Sequence, residues 1–134
     1  MDKYAPGSLM GDVYGVPQRR PHLSESAFFW RSPHVAGMAA EDNAVVMNPF
    51  SQLSDSEKQA VIMNEAARVF MRTHQRPSFP VTGEQQQQFG QYGSPQDIRE
   101  TIAGRLLSGD PSAGQGTPEQ LQFIQQLRTL MGIR

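Results

Sequence analysis

Seven of the first thirty-three residues are glycine or proline: Pro6, Gly7, Gly11, Gly15, Pro17, Pro21 and Pro33. Proline fixes φ and removes a backbone donor, and glycine carries a large entropic cost inside a regular element. At this density the sequence predicts that neither helix nor sheet propagates through the segment, so residues 1–33 read as a long extended arm. The arm is not a solvating tail. Tyr4, Leu9, Met10, Val13, Tyr14, Val16, Leu23, Phe28, Phe29 and Trp30 are scattered through it, and side chains of this kind need a surface to lie on.

Two surfaces compete on equal terms. One is the chain's own body, whose roughly 100 residues offer limited area; the other is a neighbouring subunit. The run Ser26–Arg31 predicts a helical turn that anchors the arm. Trp30 within it reads first as a core anchor and second as a partner hot spot. The partner-binding candidates are Tyr4, Leu9, Met10, Val13, Tyr14, Phe28, Phe29 and Trp30.

Residues 34–134 carry the signals of a folded domain. His34–Ala40, the turn-forming Glu41-Asp42-Asn43 and Ala44–Asn48 predict a β-hairpin over about 34–48, ended by Pro49. Ser54 stands three residues before Glu57, a capping box in which each residue satisfies a backbone N–H of the other. A helix over 55–74 follows, with Ile62, Met63, Ala66, Ala67, Val69, Phe70 and Met71 covering more than half its circumference. Ala66 and Ala67 leave room for another backbone, and Arg76-Pro77 stops the helix.

Thr82 with Gln85 repeats the box and predicts a short helix over 83–90, its glutamine run forming a solvated face. Ser94-Pro95 and Thr117-Pro118 place an N-cap before a proline at the first helical position. They open helices over 95–108 and 118–132, which the short Gly-rich connection predicts to pack as a hairpin. The fold expected is therefore mainly α: a small domain of three to four helices with one β-hairpin, behind a long extended N-terminal arm.

Several function classes are disfavoured by what the sequence lacks. Twelve basic residues against thirteen acidic ones give a net charge of -1, so no global field draws in a nucleic-acid backbone or an anionic membrane. There is no cysteine for a disulfide, a thiolate zinc site or a thiol nucleophile. The longest apolar run falls far short of the ~20 residues of a membrane helix. Met1–Gly7 shows neither the basic start nor the apolar stretch of a secretory signal.

Chemistry-bearing patterns are equally thin. His22, His34 and His74 have no ligand spacing, and His74 suits a helix C-terminus. Asn64-Glu65-Ala66-Ala67-Arg68 occupies the frame of H-E-x-x-H with both histidines replaced. The glycines at 109, 114 and 116 lack the Lys-Ser or Lys-Thr of a phosphate loop. No G-x-S-x-G elbow nominates a serine, and Glu41 and Asp42 read as solvated turn acids. The last helix offers only Arg128 and Arg134 for DNA contacts. The expectation is no enzyme, cofactor, metal, small-molecule substrate, nucleic acid or membrane.

Four segments carry a likeness: Pro33–Ala39, Glu41–Pro49, Met63–Arg68 and Leu107–Ser112. Through them, the part of the chain after the arm resembles small proteins encoded by tailed bacteriophages. The resemblance carries over no functional residue. It implies a virion or assembly component, assembled in the host cytoplasm, whose partners are other virion proteins or copies of itself. The alternative is a soluble cytosolic adaptor or regulator that binds a host protein through its methionine-bearing helix face.

Overall fold

The computed structural model of the protein describes residues 5–74 and 79–133. In chain order its elements are β1 (Leu9–Val13), β2 (Val16–Arg19), α1 (Leu23–Arg31), β3 (Gly37–Ala39), β4 (Val45–Met47), α2 (Asp55–His74), α3 (Gly83–Gln88), α4 (Pro95–Ser108) and α5 (Pro118–Met131). Among the described residues the fold is α/β, with five helices and a four-stranded mixed sheet ordered β1-β2-β4-β3. That corrects the expectation of a mainly helical domain with a single hairpin and an extended arm. Half of the sheet comes from the segment read as arm, and the predicted stop at Arg76-Pro77 lies outside the described residues.

The glycines and prolines of that segment turn and end strands rather than preventing them. Tyr14 and Gly15 both adopt positive φ, +51° and +83°, between the paired residues Val13 and Val16. This is the two-residue type I′ connection whose twist matches an antiparallel hairpin. In such a hairpin the pair flanking the turn is the hydrogen-bonded one, so Pro17, next along, has its nitrogen facing away from β1. The β4 ladder begins only at Gln18, and the missing N–H of Pro17 leaves nothing unpaired. Between Leu9 and Gly11 the register shifts, making Met10 the extra residue of a β-bulge beside Gly11 at φ +115°.

β2 runs parallel to β4, pairing Gln18 with Val45 and Arg19 with Val46, while β3 and β4 form an antiparallel pair. A parallel pair needs a long crossover, and α1 lies within it. The buried side of the sheet and α2, α4 and α5 share one core, which includes Val16, Val45, Ala66, Ala67, Val69, Phe70, Ile102, Ala103 and Leu127. Phe29 of α1 forms a second, smaller cluster with Ala40 and Val46. It is fully buried, and burying a phenylalanine contributes about 2–3 kcal/mol.

α2 opens on Ser54 and Glu57, each bonded to the other's backbone N–H, at 3.2 and 3.1 Å. α4 crosses α2 at Gly104, where an added Cβ would sit 3.0 Å from the carbonyl oxygen of Asn64. Glycine in a helix interior costs about 1 kcal/mol relative to alanine, and here it admits the neighbouring backbone. Among the described residues, no helix is long and apolar enough to cross a membrane.

Candidate functional site

The first residue that organises the surface is Arg19, a strand residue whose side chain is almost fully buried. Its Nε and Nη2 donate to the two carboxylate oxygens of Asp42 at 2.8 and 3.1 Å. Its Nη1 and Nη2 donate to the two oxygens of Glu25 at 2.7 and 3.0 Å, and Nη1 also reaches the Arg20 carbonyl at 3.1 Å. All five guanidinium N–H groups thus have acceptors. Bonding to Arg19 holds the Glu25 and Asp42 carboxyls below the usual carboxylate range and raises the arginine itself. Asp42 is therefore an ion-pair partner, where the sequence reading made it a solvated turn acid.

This clamp fixes the rotation of α1. Glu25 also accepts from the His22 N–H at 2.8 Å at the start of the helix. With Glu25 turned to Arg19, Phe29 four residues on points inward. Leu23, Ala27 and Trp30, spaced at i, i+4 and i+7, then share the outward face. Leu23 is 75% exposed and Trp30 70%.

Trp30 is held from below. Asn48 is buried and donates to the Val35 carbonyl at 2.7 Å, while its Oδ1 accepts from the Phe50 N–H at 2.7 Å. That turn places the Phe50 ring edge-on to Trp30, with centroids 5.1 Å apart, a favoured aromatic geometry. The result is an outward stripe of Leu23, Ala27 and Trp30 supported by Phe50.

The eight residues read as partner contacts separate into groups. Tyr4 lies outside the described residues. Val13 and Tyr14 pack on the main core, and the Tyr14 hydroxyl accepts from Gln59 Nε2 at 2.9 Å. Phe29 is core, and Phe28 is half-buried with its ring 5.9 Å from that of Phe29. Leu9, Met10 and Trp30 are exposed. The anchor role given first to Trp30 thus belongs to its neighbour Phe29. Phe50 was missed, although Asn48-Pro49 before it is a turn signal.

A second constellation lies along β3, the end strand of the sheet. Arg72 of α2 donates to the carbonyls of Ala39 and Ala40 at 3.4 and 3.0 Å and to Glu100 of α4 at 2.9 Å. Glu100 also accepts from Gln96 Nε2 at 3.0 Å. Glu65 is buried beside β3, with Arg68 4.0 Å away. Burial pushes the Glu65 carboxyl up, against the pull of Arg68, Arg72 and the Ala39 N–H.

These side chains occupy the outer backbone groups of Ala39, at one end of β3, and so blunt part of an edge that would otherwise template another strand. The Asn64 and Arg68 that stand in the zincin frame bond each other, Arg68 Nε donating to Asn64 Oδ1 at 3.0 Å. His74 stacks on Phe70 with centroids 3.8 Å apart, and its Nδ1 lies 3.0 Å from the Phe70 carbonyl. Among the described residues no group of three or more His, Asp and Glu is arranged to hold a metal ion. The methionine-bearing face of α2 is not open either, since Met71 is buried and Met63 packs against the core. Compared with protein-family models, curated proteins and solved structures, the chain matches none.

Proposed function

We propose that this chain is a non-enzymatic structural protein, a minor or accessory component of the head or tail of a tailed-phage particle. It binds neighbouring virion proteins or further copies of itself through the outward face of α1. The observation that supports this reading is the Leu23, Ala27 and Trp30 stripe, with Trp30 exposed yet braced by Phe50. A large aromatic held in one orientation loses little freedom when a partner covers it, and interface energy concentrates on tryptophans of this kind. The likeness of four segments to small tailed-phage proteins supports the particle as the setting.

The reading differs from a swinging strap, because the residues that carry it sit on a helix clamped by Arg19. The adaptor alternative is weakened by the burial of the methionine face of α2 on which it relied. Mass spectrometry of purified particles tests the setting: a structural component is found there at fixed stoichiometry, and a regulator is absent.

A further inference from the structure

We propose that the groove between the bulged strand β1 and the first turns of α2 is a docking site for an acidic, apolar peptide segment of a partner protein. This rests on the reading of the chain as an interaction protein and adds the chemistry of what it holds. The groove encloses about 260 Å³ and has Met10, Pro21, Met47, Pro49 and Ile62 among its lining residues. Its existence depends on the bulge at Met10, since an extra residue bends the strand and re-aims the side chain. Met10 and Met47 are flexible and polarisable, suited to an apolar side chain whose shape is not fixed in advance.

Charge selects the occupant. Arg19, Arg20 and Lys58 line the groove, and no carboxylate does so among the described residues. The charge of Arg19 is answered by Glu25 and Asp42, while Lys58 adds an exposed positive charge from α2. An apolar floor beside the exposed ammonium of Lys58 suits a segment that pairs an apolar side chain with a carboxylate. The groove also adjoins the Trp30 face, because Pro49 and Ser51, which line it, flank Phe50. One partner segment can therefore run from the aromatic stripe into the groove.

The test uses the full chain with methyl-labelled methionine, titrated with an acetylated, amidated pentapeptide of leucine, aspartate, phenylalanine, glutamate and leucine. The proposal expects the Met10 and Met47 methyl signals to move together. It also expects binding about fivefold weaker, the effect of one exposed charge contact, for the asparagine and glutamine version of the peptide and for Lys58→Glu. Lys58→Met, which keeps the apolar stem, serves as the second variant and weakens binding in the same direction.

Equal binding of the charged and neutral peptides would overturn the proposal. So would methyl signals that do not move, or saturation by decanoate where the peptide fails. Incorporation of Trp30→Ala into particles is read separately. If the peptide fails while that variant is still excluded from particles, this inference alone falls.

Discussion

Arg19 and Asp42, twenty-three residues apart in the chain, meet through two hydrogen bonds of 2.8 and 3.1 Å, and the same guanidinium holds Glu25 through two more. The contact joins β2, α1 and the β3–β4 turn, so the orientation of the exposed Trp30 depends on it.

Arg19→Met should therefore cost about 2–3 kcal/mol, because it leaves the largely covered Glu25 without its cation. Asp42→Asn should cost less than about 1 kcal/mol, since Asp42 is half-exposed and water replaces its partner. Urea denaturation of the two variants checks the order. Equal losses would show that Asp42, not Glu25, carries the clamp.

Stability should respond to pH in two opposite senses. Glu25 and Asp42 are held below their ordinary range by Arg19, so their contribution is complete above the unfolded carboxyl range and is lost as pH falls through their lowered folded values. Glu65 is raised by burial, so the folded state binds its proton more tightly than the unfolded one. Its penalty is relieved as pH falls from that raised value toward the ordinary one. Melting temperature should rise as pH falls from the raised Glu65 value toward the ordinary carboxyl range, and then drop in acid. Glu65→Gln should abolish the rise and keep the drop; a rise that survives would assign it to another group.

Gly104→Ala sets two effects against each other. Helix propensity favours alanine by about 1 kcal/mol, but the new Cβ would meet Asn64, including its carbonyl oxygen at 3.0 Å. Overpacking of this kind costs about 1–3 kcal/mol. The variant should be less stable by thermal unfolding, whereas a gain would mean that α2 and α4 separate freely.

Gln85 and Gln120 give a fourth stability test. Gln120 is fully buried, and its Nε2 donates to the Pro80 carbonyl at 2.7 Å and to Gln85 Oε1 at 2.6 Å. Its Oε1 accepts from the Thr117 N–H at 2.9 Å. Gln120→Ala strips partners from buried groups and should cost about 1–3 kcal/mol, while the exposed Gln87 and Gln88 tolerate alanine within about 0.5 kcal/mol. Hydrogen exchange across residues 80–89 should accelerate only in the first variant.

The helix starts are local chemistry, so they can be read from the chain. Thr117 and Gln120 stand three residues apart, followed by an apolar stripe, and α5 opens on that pair. The sheet is different, because the pairing of Gln18 with Val45 is a contact between distant segments that no local pattern announces. Arg19 and Arg20 are identical as letters, and only the acceptors that the fold brings to Arg19, Glu25 and Asp42, mark which one is buried. The same holds for Phe29 and Trp30, where the helix rotation set by Glu25 and Arg19 makes one core and the other surface. Glycine and proline turn and end strands here for a related reason: a type I′ turn and a proline outside the ladder are permissive placements that depend on the partner strand.

The most direct test of the account is the incorporation of Trp30→Ala into phage particles, measured by quantitative mass spectrometry beside its urea stability. The account predicts a variant that is as stable as the native chain within about 0.5 kcal/mol and is lost from particles through a binding defect of about 2 kcal/mol or more. Native-level incorporation of a normally folded Trp30→Ala would contradict it.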